Sequence, residues 1–159
     1  NYDENGTMAQ SGKVNKIALD QLLKNFYEKE NILNNEAIQS FDTKYFDFSF
    51  VKHLSPEDGT ATLTEFTAHI IISALKKKER NKEKIILCGG GRKNNFLVKK
   101  LQKENKFVKL IDDYGVDGDF IESQAFAYLA IRSFLNLPIS YKETTGVAKP
   151  CTGGVIIKF

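Results

Sequence analysis

Residues 84–95 read Lys84-Ile85-Ile86-Leu87-Cys88-Gly89-Gly90-Gly91-Arg92-Lys93-Asn94-Asn95, an apolar segment that runs into three glycines and then into a helix start. Adjacent glycines permit positive φ angles and lack the Cβ atoms that keep a flat ring or a phosphate at a distance. Asn94 is suited to cap the following helix, whose free backbone amides can face an anion. The pattern indicates a place where backbone meets a nucleotide, although a plain strand-to-helix turn also uses glycine to reverse the chain.

The segments on either side of the glycines predict an α/β fold. A strand over 84–88 is followed by a helix over about 94–103 and by a second strand over 107–111. This order implies a right-handed crossover between neighbouring parallel strands, with the site at their carboxyl ends. Upstream, Asn15 and Ser55 each stand at the N-cap position of a further predicted helix.

Two more segments have clear patterns. Residues 2–12 are small, polar and punctuated by glycine, so they predict a loop that carries side chains toward a site. A plain turn is an equally good interpretation of Asp3 with its nearby glycines. A long helix is predicted over 118–136, and its apolar residues surround most of its circumference, so it should lie deep in the domain.

Composition limits the class of protein. The 159 residues are 42% hydrophobic and suit one globular domain, and 23 basic against 20 acidic residues give a net charge of +3 that does not imply nucleic-acid binding. No apolar run approaches the ~20 residues of a membrane span and no signal peptide opens the chain, so a cytoplasmic protein is expected. Because the sequence opens at Asn1 without an initiator methionine, we expect a piece of a larger protein.

The two cysteines, Cys88 and Cys151, have no CxxC spacing and no nearby histidine, which argues against zinc. Both stand in apolar, strand-like contexts. We therefore expect reduced cysteines that pack in the core.

Acidic residues concentrate after the second predicted strand. Carboxylates at this edge can bind sugar hydroxyls, hold a metal or act as a base. A purely structural interpretation is that Asp119 and Glu122, three residues apart, form a variant of the capping box at a helix start. The acidic residues are Asp112, Asp113, Asp117, Asp119 and Glu122.

A dinucleotide-binding module is a second interpretation of the glycines. Gly89-x-Gly91-x-x-Asn94 after a strand, with an acid about 20 residues further on, imitates the dinucleotide fingerprint. However, Asn94 replaces the third glycine, which lets the helix approach the strand closely, and a long helical region precedes the first strand. Both departures count against a dinucleotide-binding module, which stays open as an alternative.

Taken together, these motifs resemble the anhydro-N-acetylmuramic acid kinases, members of the actin, hexokinase and heat-shock-70 ATPase superfamily. The likeness covers essentially the whole chain. Phe120 and the pair Arg92-Lys93 are among the few residues that differ from the family's sequence pattern. The segments that carry it are Tyr2-Asp3-x-x-Gly6-x-x-Ala9-x-x-Gly12, Leu54-Ser55-Pro56-Glu57-Asp58, Cys88-Gly89-Gly90-Gly91-x-x-Asn94, Gly115-x-Asp117-Gly118-Asp119-x-x-Glu122-x-Gln124-Ala125-Phe126-Ala127, and Gly153-Gly154 near the end.

The resemblance implies that 1–159 form the C-terminal lobe of a two-lobed sugar kinase, an actin-like (ribonuclease H-like) half-domain with an incomplete sheet. The implied reaction uses ATP and Mg²⁺ to phosphorylate the 6-oxygen of 1,6-anhydro-N-acetylmuramic acid while water opens the anhydro ring, in cell-wall recycling. The family's phosphate loop and catalytic aspartate are expected upstream, so no catalytic base is assigned to this chain. The isolated piece is expected to bind ATP weakly without turnover.

The resemblance also implies roles for particular residues. Four bind the nucleotide, three contact or help to place the sugar, and two lie near the cleft. The sequence is also compatible with a non-catalytic lobe that binds nucleotide or dimerises, and with a homodimer of the kinase. The nine residues are Gly89, Gly90, Gly91 and Asn94 for the nucleotide, Glu122, Asp117 and Asp119 for the sugar, and Asp3 and Gly6 for the cleft.

Overall fold

A computed structural model describes residues 3–32, 46–77, 83–155 and 157 of the chain. Within them, helices flank a parallel two-stranded sheet, which confirms the predicted α/β class. The helices and strands, in chain order, are α1 (Thr7–Ser11), α2 (Lys16–Ile32), α3 (Pro56–Lys77), β1 (Ile85–Leu87), α4 (Asn95–Glu104), β2 (Val108–Leu110), α5 (Ile121–Phe134) and α6 (Lys142–Thr145).

The sheet sets the position of the glycine turn. β1 and β2 pair in parallel, with Ile85 opposite Val108 and Leu87 opposite Leu110, and α4 makes the crossover between them. This is the predicted order of strand, turn, helix and strand. The glycines therefore lie directly after the carboxyl end of β1, next to the turn that follows β2.

The predicted helix caps are present. Asn15 Oδ1 accepts a hydrogen bond of 3.0 Å from the backbone N–H of Ala18, at the start of α2. Ser55 Oγ accepts one of 3.1 Å from the backbone N–H of Asp58, at the start of α3. These bonds satisfy amides that have no partner within the helix.

Helix α3 holds two hydrophobic clusters together, because residues along its length face α2 on one side and α4 with β2 on the other. Phe66 belongs to the first cluster, while Ala68 and Ile72 belong to the second. The buried members of the first cluster are Ala18, Leu22, Phe26, Val51 and Phe66, and those of the second are Ala68, Ile72, Leu101 and Val108.

The prediction of a loop over 2–12 is wrong for most of that segment. Residues Glu4–Gly6 form a single 3₁₀ turn that leads into α1. The physical reason is Asp3, whose carboxylate accepts backbone hydrogen bonds from the first turn of α1 and so makes a helix start out of a polar, glycine-rich sequence.

The prediction that the long helix lies deep in the domain is also wrong for the chain described. No residue of α5 is buried, and the side chains of Phe126, Ile131 and Phe134 are 65%, 60% and 68% exposed. Periodicity records which faces of a helix are apolar but not what covers them. The two described strands, three residues each, offer α5 little surface to pack on.

The carboxyl end of α5 is fastened by one arginine. Arg132 donates from Nε to the carbonyl oxygen of Pro138 at 2.7 Å, and from Nη2 to the hydroxyl of Tyr141 at 2.8 Å. A third bond of 3.2 Å joins Nη1 to the hydroxyl of Tyr128.

In the described part of the chain, no helix has the length and hydropathy that a membrane crossing requires.

Candidate functional site

The glycine turn begins with a backbone conformation that only glycine adopts readily. Gly89 has φ +73° and ψ −175°, and a single 3₁₀ turn over Gly90–Lys93 follows. The Gly89 N–H donates to the carbonyl oxygen of Gly118 at 3.3 Å, which joins the turn to the loop after β2. A Cβ atom placed on Gly89, Gly90 or Gly91 would meet no other atom within 4 Å, so their surface is open to a ligand.

Asn94 caps the helix after the turn, as predicted. Its Oδ1 accepts a hydrogen bond of 2.9 Å from the backbone N–H of Leu97 in the first turn of α4. The carbonyl end of the side chain is therefore used by the protein itself. The amide nitrogen at the other end of the side chain takes no part in this cap.

Asp3 and Gly6 bring the start of the chain against the start of α4. The Asp3 carboxylate accepts from the N–H groups of Met8 at 2.8 Å and of Ala9 at 2.9 Å. Gly6 has φ +72°, and a Cβ atom there would overlap Asn94 Oδ1 and lie 2.9 Å from Phe96 Cβ. Asp3 thus organises this segment, and Gly6 allows its close contact with α4.

A cavity of about 520 Å³ lies between the first segment and the glycine turn, and a smaller one of about 170 Å³, which also includes Asp3 and Asn94, lies beside it. The larger cavity brings together residues that the resemblance assigns separately to the nucleotide and to the cleft. Its lining residues are Asp3, Asn5, Gly90, Gly91, Lys93 and Asn94.

Arg92, which sequence reasoning passed over, is the central side chain of the acidic edge. It is only 6% exposed. It donates from Nε and Nη2 to the two carboxylate oxygens of Asp112, at 2.7 and 3.1 Å, and from Nη1 to Asp119 at 2.7 Å. Nη1 also donates to the carbonyl oxygen of Gly89 at 3.0 Å. The signal in the sequence was two cations directly after the glycines, facing a cluster of acids 20–30 residues later.

The acids predicted to contact a sugar have different partners or positions. Asp119 also pairs with Lys93 Nζ at 2.6 Å, while Asp117 Oδ1 accepts from the backbone N–H of Asp119 at 2.9 Å. Glu122 is exposed on the first turn of α5 and lines neither cavity beside the glycine turn. The structure therefore groups Asp117 and Asp119 around Arg92 and does not bring Glu122 to the larger cavity.

The capping box considered for Asp119 and Glu122 is not formed. The N-cap residue of α5 is Phe120, and no side chain caps that helix. Arg92 and Lys93 bind the Asp119 carboxylate and so remove it from that role.

Hydrogen bonds from the two cations lower the pKa values of both bound carboxyls. The bonds from Arg92 lower the pKa of Asp112 to about 2, with burial opposing the shift. The bonds from Lys93, and then from Arg92, lower the pKa of Asp119. The same carboxylates, Asp112 first, raise the pKa of Arg92 above its usual value. Asp112, Asp119 and Arg92 are therefore all ionised at neutral pH.

This arrangement predicts a stability difference that depends on pH. Because the folded-state pKa of Asp112 is about 2 against 3.8 for the free group, its ionic bond stabilises the fold fully above about pH 4 and is lost as the pH falls to about 2. Urea unfolding at a series of pH values should therefore show Asp112→Asn less stable than the wild type at neutral pH, with a difference that shrinks between pH 4 and 2.

The matched control for that series is the same substitution in an Arg92→Met background. Without the arginine, Asp112→Asn should show no such trend between pH 4 and 2. A stability difference between wild type and Asp112→Asn that stays constant down to pH 2 would contradict the described pairing.

The cysteine prediction is corrected in part. Both thiols are free, but Cys88 and Cys151 are exposed and do not pack in the core. Cys88 follows the last residue of β1, where the chain has already left the sheet, and Cys151 lies in an isolated antiparallel bridge with Ser140.

Over residues 3–32, 46–77, 83–155 and 157, no group of three or more histidine, cysteine or acidic side chains is arranged to hold a metal ion.

Comparison with known proteins gives one consistent family. The family model described as anhydro-N-acetylmuramic acid kinase matches residues 1–158. The enzyme of that name from Pelagibacter ubique is 52% identical over 99% of this chain and 43% of its own length. Those from Zymomonas mobilis and Caulobacter vibrioides are 39% and 40% identical, each over 98% of this chain and 41% of its own length. The chain thus spans about two fifths of the length of these relatives.

Proposed function

The chain belongs to the anhydro-N-acetylmuramic acid kinase family, and we propose that it forms the C-terminal, nucleotide-binding lobe of such a kinase, with an actin-like ATPase fold. The complete enzyme transfers the terminal phosphoryl group of ATP to the 6-oxygen of 1,6-anhydro-N-acetylmuramic acid. Water adds at the anomeric carbon and opens the anhydro ring. The products are ADP and N-acetylmuramic acid 6-phosphate, and we place the reaction in the cytoplasm.

One observation carries the nucleotide assignment. Gly90, Gly91 and Asn94 line the same cavity as Asp3, and a Cβ atom on any of the three adjacent glycines would point into open space. An open glycine surface at the carboxyl end of a parallel strand lets backbone approach a flat ring or a phosphate closely. In a family whose members act as kinases, ATP is the ligand that fits such a surface.

The residues of this lobe bind and orient rather than perform chemistry. Gly89, Gly90 and Gly91 offer backbone to the adenosine side of the nucleotide, and Asn94 offers its amide nitrogen. The base that activates water is proposed to lie in the part of the family fold that this chain does not span. Lobe closure over the bound pair would exclude bulk water from the transferred phosphoryl group.

Mg²⁺, when bound with ATP, neutralises phosphate charge in such a transfer. The acidic edge of this chain does not fit a magnesium site, because Arg92 and Lys93 already bind the carboxylates of Asp112 and Asp119. The ion is therefore proposed to be held by the phosphates and by residues outside the described part of the chain. Glu122 is the proposed sugar contact, with Asp117 and Asp119 helping to place it.

The dinucleotide-module interpretation is weakened by the position of two residues. Its ribose ligand would be the acid about 20 residues after the glycines, but both carboxylate oxygens of Asp112 accept from Arg92. The position of its third glycine is taken by Asn94, which caps α4. Neither residue is free for the role that a dinucleotide site requires.

The proposed function is tested with the protein expressed from the whole reading frame that contains this sequence. With ATP, Mg²⁺ and the anhydro sugar in ¹⁸O-labelled water, we expect a singly phosphorylated product that carries ¹⁸O at the anomeric carbon, and one ADP for each product. Absence of phosphorylated sugar above the level without enzyme would refute the proposal.

The 159-residue chain by itself provides a second arm. By calorimetry we expect it to bind ADP in preference to NAD, and in the kinase assay we expect no turnover. Tighter binding of NAD would favour the dinucleotide module. Product formation would show that this chain by itself contains the catalytic residues.

A further inference from the structure

Arg92 connects three segments of the chain, at residues 89, 112 and 119. Its guanidinium group binds the carbonyl oxygen of Gly89 in the glycine turn, Asp112 in the turn after β2, and Asp119 just before α5. The side chain is 6% exposed, whereas the carboxylates of Asp112 and Asp119 are each 44% exposed. A buried, planar donor group thus fixes two partly exposed loops against the wall of the cavity.

The loop before α5 is shaped to receive this side chain. A Cβ atom on Gly118 would overlap the Arg92 guanidinium and lie 2.7 Å from Arg92 Cδ. The carbonyl oxygen of the same glycine accepts from the N–H of Gly89. A backbone hydrogen bond and the Arg92 side chain therefore both join the glycine turn to this loop.

The geometry points to Arg92 as a positioning residue for nucleotide binding, an inference that rests on the proposed function. Arg92 does not line the cavity, but its neighbours Gly90, Gly91 and Lys93 do. By holding the carbonyl oxygen of Gly89 and the two acids, it sets the place and direction of the glycine surface. It also compensates the charge of Asp112, Asp117 and Asp119, which all lie within 4 Å of it and would repel phosphates.

A lysine cannot replace Arg92 in this role. One ammonium group keeps the charge but cannot bind both oxygens of Asp112, the Asp119 carboxylate and the Gly89 carbonyl oxygen together. In the protein expressed from the whole reading frame we expect Arg92→Lys to raise the KM for ATP about tenfold, the lower end of the loss seen when a residue that supports a metal ligand is removed. The KM for the sugar should change less than about twofold, because Arg92 positions the glycine turn that is proposed to contact the nucleotide.

Two further variants separate positioning from stability and from charge. Arg132, at the carboxyl end of α5, also donates to three different acceptor groups. Arg132→Lys should therefore lower the Tm without changing the KM for ATP. Asp119→Asn removes a negative charge, so charge alone would lower that KM. If the carboxylate anchors Arg92, the KM rises instead. Because Asp119 is partly exposed, this variant is expected to fold even where Arg92→Lys does not.

The outcomes distinguish this inference from the proposed function. A wild-type protein that neither binds ADP nor phosphorylates the sugar would overturn both. If the wild type binds ADP and phosphorylates the sugar, the positioning role alone would be overturned by either of two results. These are an unchanged KM for ATP in Arg92→Lys and a lowered KM for ATP in Asp119→Asn. A rise in both variants, with Arg132→Lys at the wild-type value, supports it.

Discussion

Gly6→Ala should lower the free energy of unfolding by about 2–5 kcal/mol. Alanine at φ +72° carries left-handed strain, and its Cβ atom would overlap Asn94 Oδ1 and crowd Phe96. Asn94 is itself committed to capping α4, so it cannot move away without releasing the helix start. Urea unfolding followed by circular dichroism measures the loss.

Two matched variants divide that loss into its parts. Gly146→Ala has the same backbone requirement, with φ +71°, but no atom within 4 Å of the added Cβ, so it should show strain alone, about 1–2 kcal/mol. Gly6→Ala in an Asn94→Ala background should cost less than in the wild type, because the overlapping oxygen is gone. Equal costs at Gly6 and Gly146 would show that the first segment does not pack against α4 as described.

Gly91→Ala should have the opposite profile, with a large loss of nucleotide affinity and little effect on the fold. Gly91 lies outside the positive-φ region, and a Cβ atom there would meet nothing within 4 Å. Its free energy of unfolding should stay within about 0.5 kcal/mol of the wild type. The added methyl group would enter the surface that the nucleotide approaches. Overpacking by one methyl group costs about 1–3 kcal/mol, which corresponds to about 5- to 150-fold in the Kd for ADP.

The measurement is ADP affinity by calorimetry, with thermal unfolding of the same sample. Gly90→Ala is the companion variant, because it also lines the cavity and has open space around its Cβ position. An affinity for ADP within twofold of the wild type in both variants would place the nucleotide elsewhere.

Local sequence signals predicted the elements around the site well. Asn15, Ser55 and Asn94 each bind the helix start that they precede, because a short polar side chain at that position has few competing partners. The parallel pairing of β1 with β2 is predicted by the order of strand, turn, helix and strand along the chain. These features depend on neighbours within a few residues or on one connection.

Features that depend on distant partners were not predictable in the same way. The pattern of acids after β2 is compatible with ligands for a sugar or metal and with a capping box, whereas in the structure Arg92 binds two of these acids from 20 and 27 residues away. The burial of α5 was inferred from its apolar circumference, but burial requires a covering surface that a helical pattern does not specify. The resemblance implies only that Asp3 and Gly6 lie near the cleft, and no spacing in the sequence indicates that they meet the residues of the glycine turn. Their roles in binding stay predictions.

The proposed contact between the nucleotide and the glycine turn is tested most directly by amide NMR of ¹⁵N-glycine-labelled protein. Peaks of Gly90 and Gly91 are assigned by their disappearance in the two alanine variants. On addition of ADP, we expect saturable shifts of these peaks and of Gly89. The peak of Gly146, which lines neither cavity beside the glycine turn, should stay unchanged. Saturable ADP binding that leaves all three glycine-turn peaks in place would contradict the proposed contact.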